Sequence, residues 1–510
     1  MDRARFFSSH MSWIESVFVW AALLSVTILF FLHPIGTSDL FWQMKAGELL
    51  WDTGSIPQFD PFTFTAAGNP WVDHEWLAGL LFFGAWRAGG FEALSILSFL
   101  AGFGIVASVF CTARRLSGSP YVGVVFALLV CAAGAQRFQQ LRPDLFAFLF
   151  FSILLLVAFS SGLGFGTRLS LLAALHAIWA NVHASAIIGP PIVLLAGAAE
   201  LFTGSRRGDR IPGSWKKLAC LSAACAAALL INPYFTHAYT FPFEHMGQGF
   251  SLSVTSDWAR ATWFLPQADI ASWGLATLSL LSVAAIVFCR GRRPFPWAPA
   301  VVAAACLPAG FWMMRFVPFS AIALSAFMAA LLGAPRLEET TGSSVRRVAA
   351  LVFAFGALLL MYETGPLHGA RGRAGGVDLV LGLPVGVGLL KGEFPEEAAD
   401  FIERSGIEGN LFNDMSWGGY LIWRNWPDRR VFIDTRTPIY GEGFMKSYSD
   451  ALFIPEVFEE IADRWQITHV LYDARDVSAE GGPLRFLVGD PGWKTAFLGA
   501  NAVVFIKREK

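Results

Sequence analysis

Eleven apolar runs, each near the roughly 20 residues an α-helix needs to cross the hydrocarbon of a bilayer, can be drawn along the first 362 residues of this chain. They fall at about 12–32, 91–113, 120–136, 144–161, 169–184, 185–203, 218–234, 271–289, 297–314, 316–334 and 348–362. Lipid offers backbone groups no hydrogen bonds, so such a chain satisfies them inside its own helices and folds as a bundle. Composition agrees. Only 15% of residues are charged and 55% are apolar, against about 25% charged in soluble domains. A cytosolic enzyme, a disordered scaffold and a nucleic-acid binder are excluded.

Charge divides the chain in two. Residues 363–510 carry 22 acidic and 16 basic side chains, a soluble domain's density, while residues 1–362 carry 17 and 22 over more than twice the length. We expect a membrane domain over 1–362 and a water-exposed α/β domain over 363–510. Sixteen of the front's basic residues lie in alternate gaps, among them Arg114, Arg115, Arg206, Arg207, Arg292 and Arg293. By the positive-inside rule those gaps are cytoplasmic, which puts the N-terminus inside and the tail outside. The first span reads as a retained anchor, since Phe31-Leu32-His33-Pro34 is no small-residue cleavage site. The six cysteines all lie in or beside apolar stretches and have no metal-site or disulfide spacing.

The remaining six basic residues (Lys45, Arg87, Arg137, Arg142, Arg260 and Arg315) and eleven of the front's acids then fall on the outer side. The first outer loop, about 33–90, is too long to be a simple connector. Within it, Leu40–Trp51 has apolar residues at helical spacing, and Trp76–Trp86 is apolar but half a bilayer long. Both read as helices lying in the interface. Asp39 precedes the first and Asp73-His74-Glu75 the second. Each group would also serve as a helix cap.

Later outer segments add Arg137, Arg142 and Asp144 in one stretch, Asn181 and His183 at the end of the fifth span, Asn232 after the seventh, and Arg315 after the ninth. A lone arginine there would snorkel to the headgroups. Several beside Asp, His and Asn from different spans point to a site. Arg137, Arg142 and Arg315 suit the clamping of a phosphate, and Asp39 or Glu75 can accept a proton from a nucleophile. A phosphate leaving group beside a base suggests group transfer from a lipid-linked donor.

These residues resemble the GT-C class of membrane glycosyltransferases, which includes protein O-mannosyltransferases, aminoarabinose transferases and oligosaccharyltransferase catalytic subunits. Thr37-Ser38-Asp39 stands where those enzymes carry a catalytic Asp. The strings Asp39-Leu-Phe-Trp-Gln, Gly54-Ser-Ile-Pro, Asp60-Pro-Phe-Thr-Phe-Thr and Trp71-Val-Asp-His-Glu-Trp76, with Arg142-Pro-Asp, Asn181-Val-His183 and Asn232-Pro-Tyr234, are similar to a bacterial group placed in the same class. The resemblance implies a polytopic α-helical fold of about 11 spans in the bacterial cytoplasmic membrane, with an extracytoplasmic C-terminal α/β domain. It implies inverting sugar transfer from a polyprenyl-phosphate donor to a glycan, lipid or protein acceptor. Asp39 would be the general base, with Asp73 and Glu75 also catalytic. Arg137, Arg142 and Arg315 would hold the phosphate, and His74, Asp144, Asn181, His183 and Asn232 would bind substrate.

In the tail, Asp414-Met-Ser-Trp417-Gly-Gly-Tyr420-Leu-Ile-Trp423 is similar to the acceptor-binding WWDYG segment of oligosaccharyltransferases, which nominates Trp417 and Tyr420 as substrate-binding. Gly418-Gly419 replaces that motif's Asp-Tyr, which argues against Asn-sequon glycosylation. No cofactor is implied. The first loop has no DxD pair to favour a divalent metal ion, whose participation is left open. Pro395–Arg404 reads as an amphipathic helix, with further helices near 441–452 and 456–465. Leu411–Asn413, Val431–Ile433, His469–Tyr472 and Val503–Ile506 read as strands, with no nucleotide-binding loop between strand and helix. Two rivals remain: a flippase of lipid-linked sugars, which would show paired repeats and midplane charges, and a non-catalytic envelope-assembly protein.

Overall fold

The computed structural model describes residues 13–203, 214–246, 270–289, 295–333 and 385–508. Ten of the eleven apolar runs fall on helices, and the last, 348–362, lies outside the described residues. In chain order the helices are α1 (Trp13–Phe31), α2 (Asp39–Thr53), α3 (Trp76–Ser117), α4 (Pro120–Phe138), α5 (Pro143–Ala158) and α6 (Phe165–Val182). A short 3-10 turn, Ala184–Ile188, leads into α7 (Gly189–Thr203), followed by α8 (Trp215–Ala228), α9 (His237–Met246), α10 (Ile270–Cys289), α11 (Trp297–Trp312) and α12 (Val317–Leu332). Among the described residues four helical stretches are long and apolar enough to cross a membrane: Trp76–Ser117, Pro120–Phe138, Ala184–Thr203 and Met314–Leu332. Other apolar helices are shorter, such as the 16-residue α5, which Pro143 opens at its first turn.

The two loop segments expected to be helical are so. Leu40–Trp51 lies within α2. Trp76–Trp86 forms the first part of α3, which breaks at Gly89 and Gly90 before continuing to Ser117. Gly90 sits at φ 66°, ψ −155°, a conformation open essentially to glycine alone, so the residue type fixes where the short segment gives way to the long one. α12 is buried along nearly its whole length, and aromatic pairs such as Phe148–Phe319, with rings 4.9 Å apart, fill the space around it.

The C-terminal domain carries a four-stranded sheet in the order β1 (Asn410–Asn413), β2 (Ile467–Asp473), β4 (Ala502–Lys507), β3 (Trp493–Leu498). The β1–β2 pair is parallel and the others antiparallel. Helices α13 (Glu396–Arg404), α14 (Met415–Asn425), α15 (Glu442–Ala451) and α16 (Pro455–Arg464) pack with it. Val431–Ile433, expected to be a strand, is not one. Asn413 Oδ1 accepts from the N–H groups of Phe432 and Ile433, while Val431 exchanges backbone bonds of 3.2 Å with Phe62 and Phe64 of the first loop. Its partners lie in a different part of the chain.

That exchange belongs to a broad seam. Trp426 Nε1 donates to the Pro61 carbonyl at 3.0 Å and Asn69 Nδ2 to the Ile439 carbonyl at 2.9 Å. At its centre the buried Arg436 guanidinium donates to both oxygens of Asp434, at 2.9 and 2.7 Å, and to Asp60 at 2.7 Å. Trp71 and Phe62 rings lie 4.5 and 4.9 Å from it. Asp60 also accepts from the N–H groups of Phe62 and Thr63, at 3.1 Å each. Nearer the membrane domain, Ile35 N–H donates to Gly388 O at 2.7 Å and Leu390 N–H to Ile35 O at 2.8 Å, tying the start of the loop to the start of the tail. Removing one member of a buried ion cluster strands the others, at a cost of about 3–5 kcal/mol. Arg436→Ala should therefore lower the thermal midpoint of the purified protein markedly, and an unchanged midpoint would show that the cluster contributes nothing net.

Candidate functional site

Asp39 opens α2, and neither it nor Ser38 caps the helix through its side chain. Its carboxylate is engaged from two directions. Arg142, just ahead of α5, reaches Oδ2, and the Thr435 hydroxyl of the C-terminal domain donates to Oδ1. Trp42, nearly one turn along α2, donates its indole N–H to Thr435 Oγ1 at 3.1 Å. Thr435 is thereby fixed as acceptor on one side and donor on the other, and it lies between Asp434 and Arg436 of the buried cluster.

Four residues along α2, on the same face as Asp39, Gln43 donates to Glu75 Oε2 at 2.8 Å. The other oxygen, Oε1, faces two imidazoles: His74 Nε2 at 3.4 Å and His183 Nε2 at 3.7 Å. His183 is oriented by Ser185, whose hydroxyl lies 2.7 Å from Nδ1. Arg315, on the turn before α12, acts electrostatically on both Glu75 and His183. One helix thus sets two polar centres side by side, one around Asp39 and one around Glu75.

Around the second centre lies a cleft of about 440 Å³ of empty space, lined by His74, Trp76, His183, Asn232, Tyr234 and Phe241 among others. Its walls are aromatic with a few polar groups, the make-up of a small-molecule site. Asn181 Oδ1 accepts from Trp76 Nε1 at 3.0 Å and so orients that ring. Asn232 Oδ1 accepts from Tyr234 N–H at 2.7 Å, holding the turn from which the Tyr234 hydroxyl accepts from Asp73 N–H at 3.0 Å.

The adjacent carboxylates are driven apart electrostatically. Burial pushes Asp73 from its ordinary 3.8 up to about 7, with the Glu75 charge adding to it against His74 and Arg436. Burial acts on Glu75 in the same direction, but His74, its hydrogen bond, His183 and Arg315 outweigh it and pull the group down to about 2. His74 is raised above 6.5 because the carboxylate beside it outweighs its burial. Glu75 is therefore a fixed anion near neutral pH and Asp73 a group that exchanges its proton there.

Most of the residues nominated from the sequence come together here, and four of them (Arg137, Asp144, Trp417 and Tyr420) are buried against protein partners. Arg137, expected on a phosphate, is buried and paired with Asp144, joining the end of α4 to the start of α5. Trp417 and Tyr420, expected on the substrate, are buried in packing. Trp417 donates to the Glu393 carbonyl at 3.1 Å, and Tyr420 stacks on Phe394 at 5.3 Å with Phe41 edge-on. The reason is the glycine pair between them. A Cβ at Gly418 would lie 2.1 Å from the Ile433 oxygen, and one at Gly419 2.5 Å from that of Ser38, so α14 lies directly on the backbone ahead of α2. Thr435 and Gln43 were not singled out. Gln43 was within reach, four residues after Asp39 on a predicted helix. Nothing in the sequence pairs Asp39 with Thr435, 396 residues away. Among the described residues no group of three or more His, Cys, Asp or Glu is arranged to hold a metal ion.

No family model matches this sequence, and neither does any curated protein. Solved structures do. The chain is similar to the archaeal oligosaccharyltransferase AglB from Archaeoglobus fulgidus, in complex with an inhibitory peptide and a dolichol-phosphate: 13% identity over 91% of this chain and 70% of that one, TM-score 0.56. It is similar to ArnT from Cupriavidus metallidurans bound to undecaprenyl phosphate, with 14% identity, 96% and 97% coverage and a TM-score of 0.57. The arabinofuranosyltransferase AftD from Mycobacteria aligns with 11% identity over 96% of this chain and 41% of that one, TM-score 0.51. The chain has the GT-C fold, a polytopic helical membrane domain with a small C-terminal sheet.

Asp73 gives this site a pH signature. Its value in the folded protein lies above that of a free carboxyl, so the stability it contributes is whole below about pH 4, declines as pH rises, and is lost above about 7. Asp73→Asn should gain thermal stability relative to wild type as pH is raised across that window. Parallel melting curves would show that no buried carboxyl titrates there.

Proposed function

We propose that this protein is a membrane glycosyltransferase that moves a sugar from a polyprenyl-phosphate donor onto an acceptor hydroxyl at the outer face of the bacterial cytoplasmic membrane. The N-terminus would lie in the cytoplasm and the C-terminal domain outside. The observation that carries this reading is the Asp39–Arg142 pair, a carboxylate and a guanidinium joined at the start of the helix whose Gln43 reaches Glu75. Support comes from the shared fold, since two structures of that fold hold dolichol-phosphate and undecaprenyl phosphate, the lipid portion of such donors.

The pair suggests how donor and base are coupled. While Arg142 sits on Asp39 Oδ2, it stands where the acceptor hydroxyl must approach. A donor phosphate is a stronger partner for a guanidinium than a single carboxylate oxygen, because it offers paired oxygens and more charge. Its arrival draws Arg142 away and leaves Asp39 Oδ2 open to the acceptor hydroxyl. The acceptor oxygen then attacks the anomeric carbon, its proton passes to Asp39, and the carbon–oxygen bond to the phosphate breaks with its electron pair on the leaving group. A single displacement of this kind inverts the anomeric centre. Arg142 and Arg315 stabilise the departing phosphate, and Arg137 acts at one remove, by way of Asp144, in fixing the start of α5. His74, His183 and Asn232 line the wall that receives the sugar, Glu75 stands behind the two histidines, and Asn181 orients the Trp76 ring of the same wall. Asp73 provides a second proton acceptor near neutral pH.

The reading is tested by reconstituting the full chain in vesicles with labelled polyprenyl-phosphate sugars and following release of free polyprenyl phosphate. Wild type should release it, and Asp39→Asn should be slower by about 10²–10⁴-fold, the usual worth of a positioned base. Arg142→Ala should in addition weaken the apparent affinity for donor. Label crossing the bilayer with the sugar bond intact would overturn the reading in favour of a flippase.

A further inference from the structure

The C-terminal domain reaches Asp39 directly. Among the described residues, the hydrogen bond to Asp39 Oδ1 comes from Thr435, on the segment that follows Val431–Ile433. Three features mark this hydroxyl as a placed group. Its oxygen accepts the Trp42 indole N–H at 3.1 Å, which leaves its own hydrogen directed at the carboxylate. Its two chain neighbours, Asp434 and Arg436, are buried and locked together and to Asp60 of the first loop by bonds of 2.7–2.9 Å. Asp434 N–H further donates to the Tyr440 hydroxyl at 2.9 Å. A surface threonine needs none of this support. A threonine required to hold one carboxylate oxygen in one orientation does.

We propose that Thr435 is a positioning residue of the transfer site. By holding Asp39 Oδ1 it turns Oδ2 toward the position that Arg142 occupies at rest and the acceptor hydroxyl occupies in the reaction. The inference rests on the transferase reading above and adds that the site is incomplete without the C-terminal domain. When Arg142 passes to the donor phosphate, Thr435 is the partner among the described residues that still holds Asp39. Loss of its hydroxyl therefore affects the chemical step and leaves recognition of the lipid phosphate intact.

The experiment uses the full-length protein and three variants, Thr435→Val, Thr435→Ser and Arg436→Ala, with two readouts: binding of undecaprenyl phosphate alone, and turnover of a labelled donor that wild type accepts. Thr435→Val is nearly isosteric, removes only the hydroxyl and leaves the cluster in place. It should lower kcat on the order of 10²-fold, the scale of a misplaced catalytic group, with the dissociation constant for undecaprenyl phosphate unchanged and a fall in thermal midpoint, from the Trp42 N–H left unpaired, smaller than that of Arg436→Ala. Thr435→Ser should recover most of the lost rate. Arg436→Ala should lower kcat and stability together, because it frees the segment as well as the cluster. A Val variant that turns over at the wild-type rate, or Val and Ser variants equally slow, would overturn the inference while leaving the transferase reading standing. Wild type without transfer from any polyprenyl-phosphate sugar would remove both.

Discussion

A guanidinium buried between two carboxylates and two aromatic faces holds this structure together where it matters. Arg436, Asp434 and Asp60 are nearly inaccessible to solvent, and such a group tolerates burial only when every charge is answered. Asp60 comes from the first outer loop and Asp434 and Arg436 from the far end of the chain, so satisfying the charges forces two remote segments into one register. The loop stretch 54–75, which has no long helix or sheet of its own, takes its shape from that register.

Within the frame so set, α2 does the local work of arrangement. Side chains four apart on a helix stand side by side, so Asp39 and Gln43 link two polar centres without any further scaffold. The two centres differ in kind. Around Asp39 the partners are a cation and a hydroxyl, both donors, which keep the carboxylate oriented. Around Glu75 a row of three consecutive ionisable residues is compressed against a second histidine, and the environment sorts their protons. The site thus sets one oriented carboxylate, one carboxylate held ionised and one carboxyl raised toward neutral pH side by side.

Much of this could be read in the sequence, and the exceptions share a cause. The apolar runs, the loop helices, the break after Trp86 and the small sheet all rest on spacing or composition within a few residues. Asp39 and Arg142 were placed at one site by their positions at helix ends, as base and phosphate clamp, but their direct pairing came only with the structure. Thr435 was not legible because its significance comes entirely from a contact 396 residues away. Val431–Ile433 read as a strand because apolar, β-rich residues look the same whether their hydrogen bonds go to a sheet, to Asn413 or to another loop. Trp493–Leu498 was passed over as a strand because Lys494 and Thr495 interrupt its apolar pattern, as suits the sheet edge it occupies. Trp417 and Tyr420 misled in the opposite way: aromatic residues around small ones describe a binding surface and a tight helix contact equally well, and only the approach of Gly419 to Ser38 tells them apart.

The stitch between Ile35 and Leu390, together with the hydroxyl that Thr435 brings to Asp39, bears on the order in which the protein is made. A ribosome adding about 5–20 residues per second reaches Thr435 roughly 20 to 80 seconds after Asp39. Throughout that interval the nascent bundle carries a carboxylate without its neighbour and a loop without its clasp. The contacts around Asp39 are thus completed only after the tail has been made.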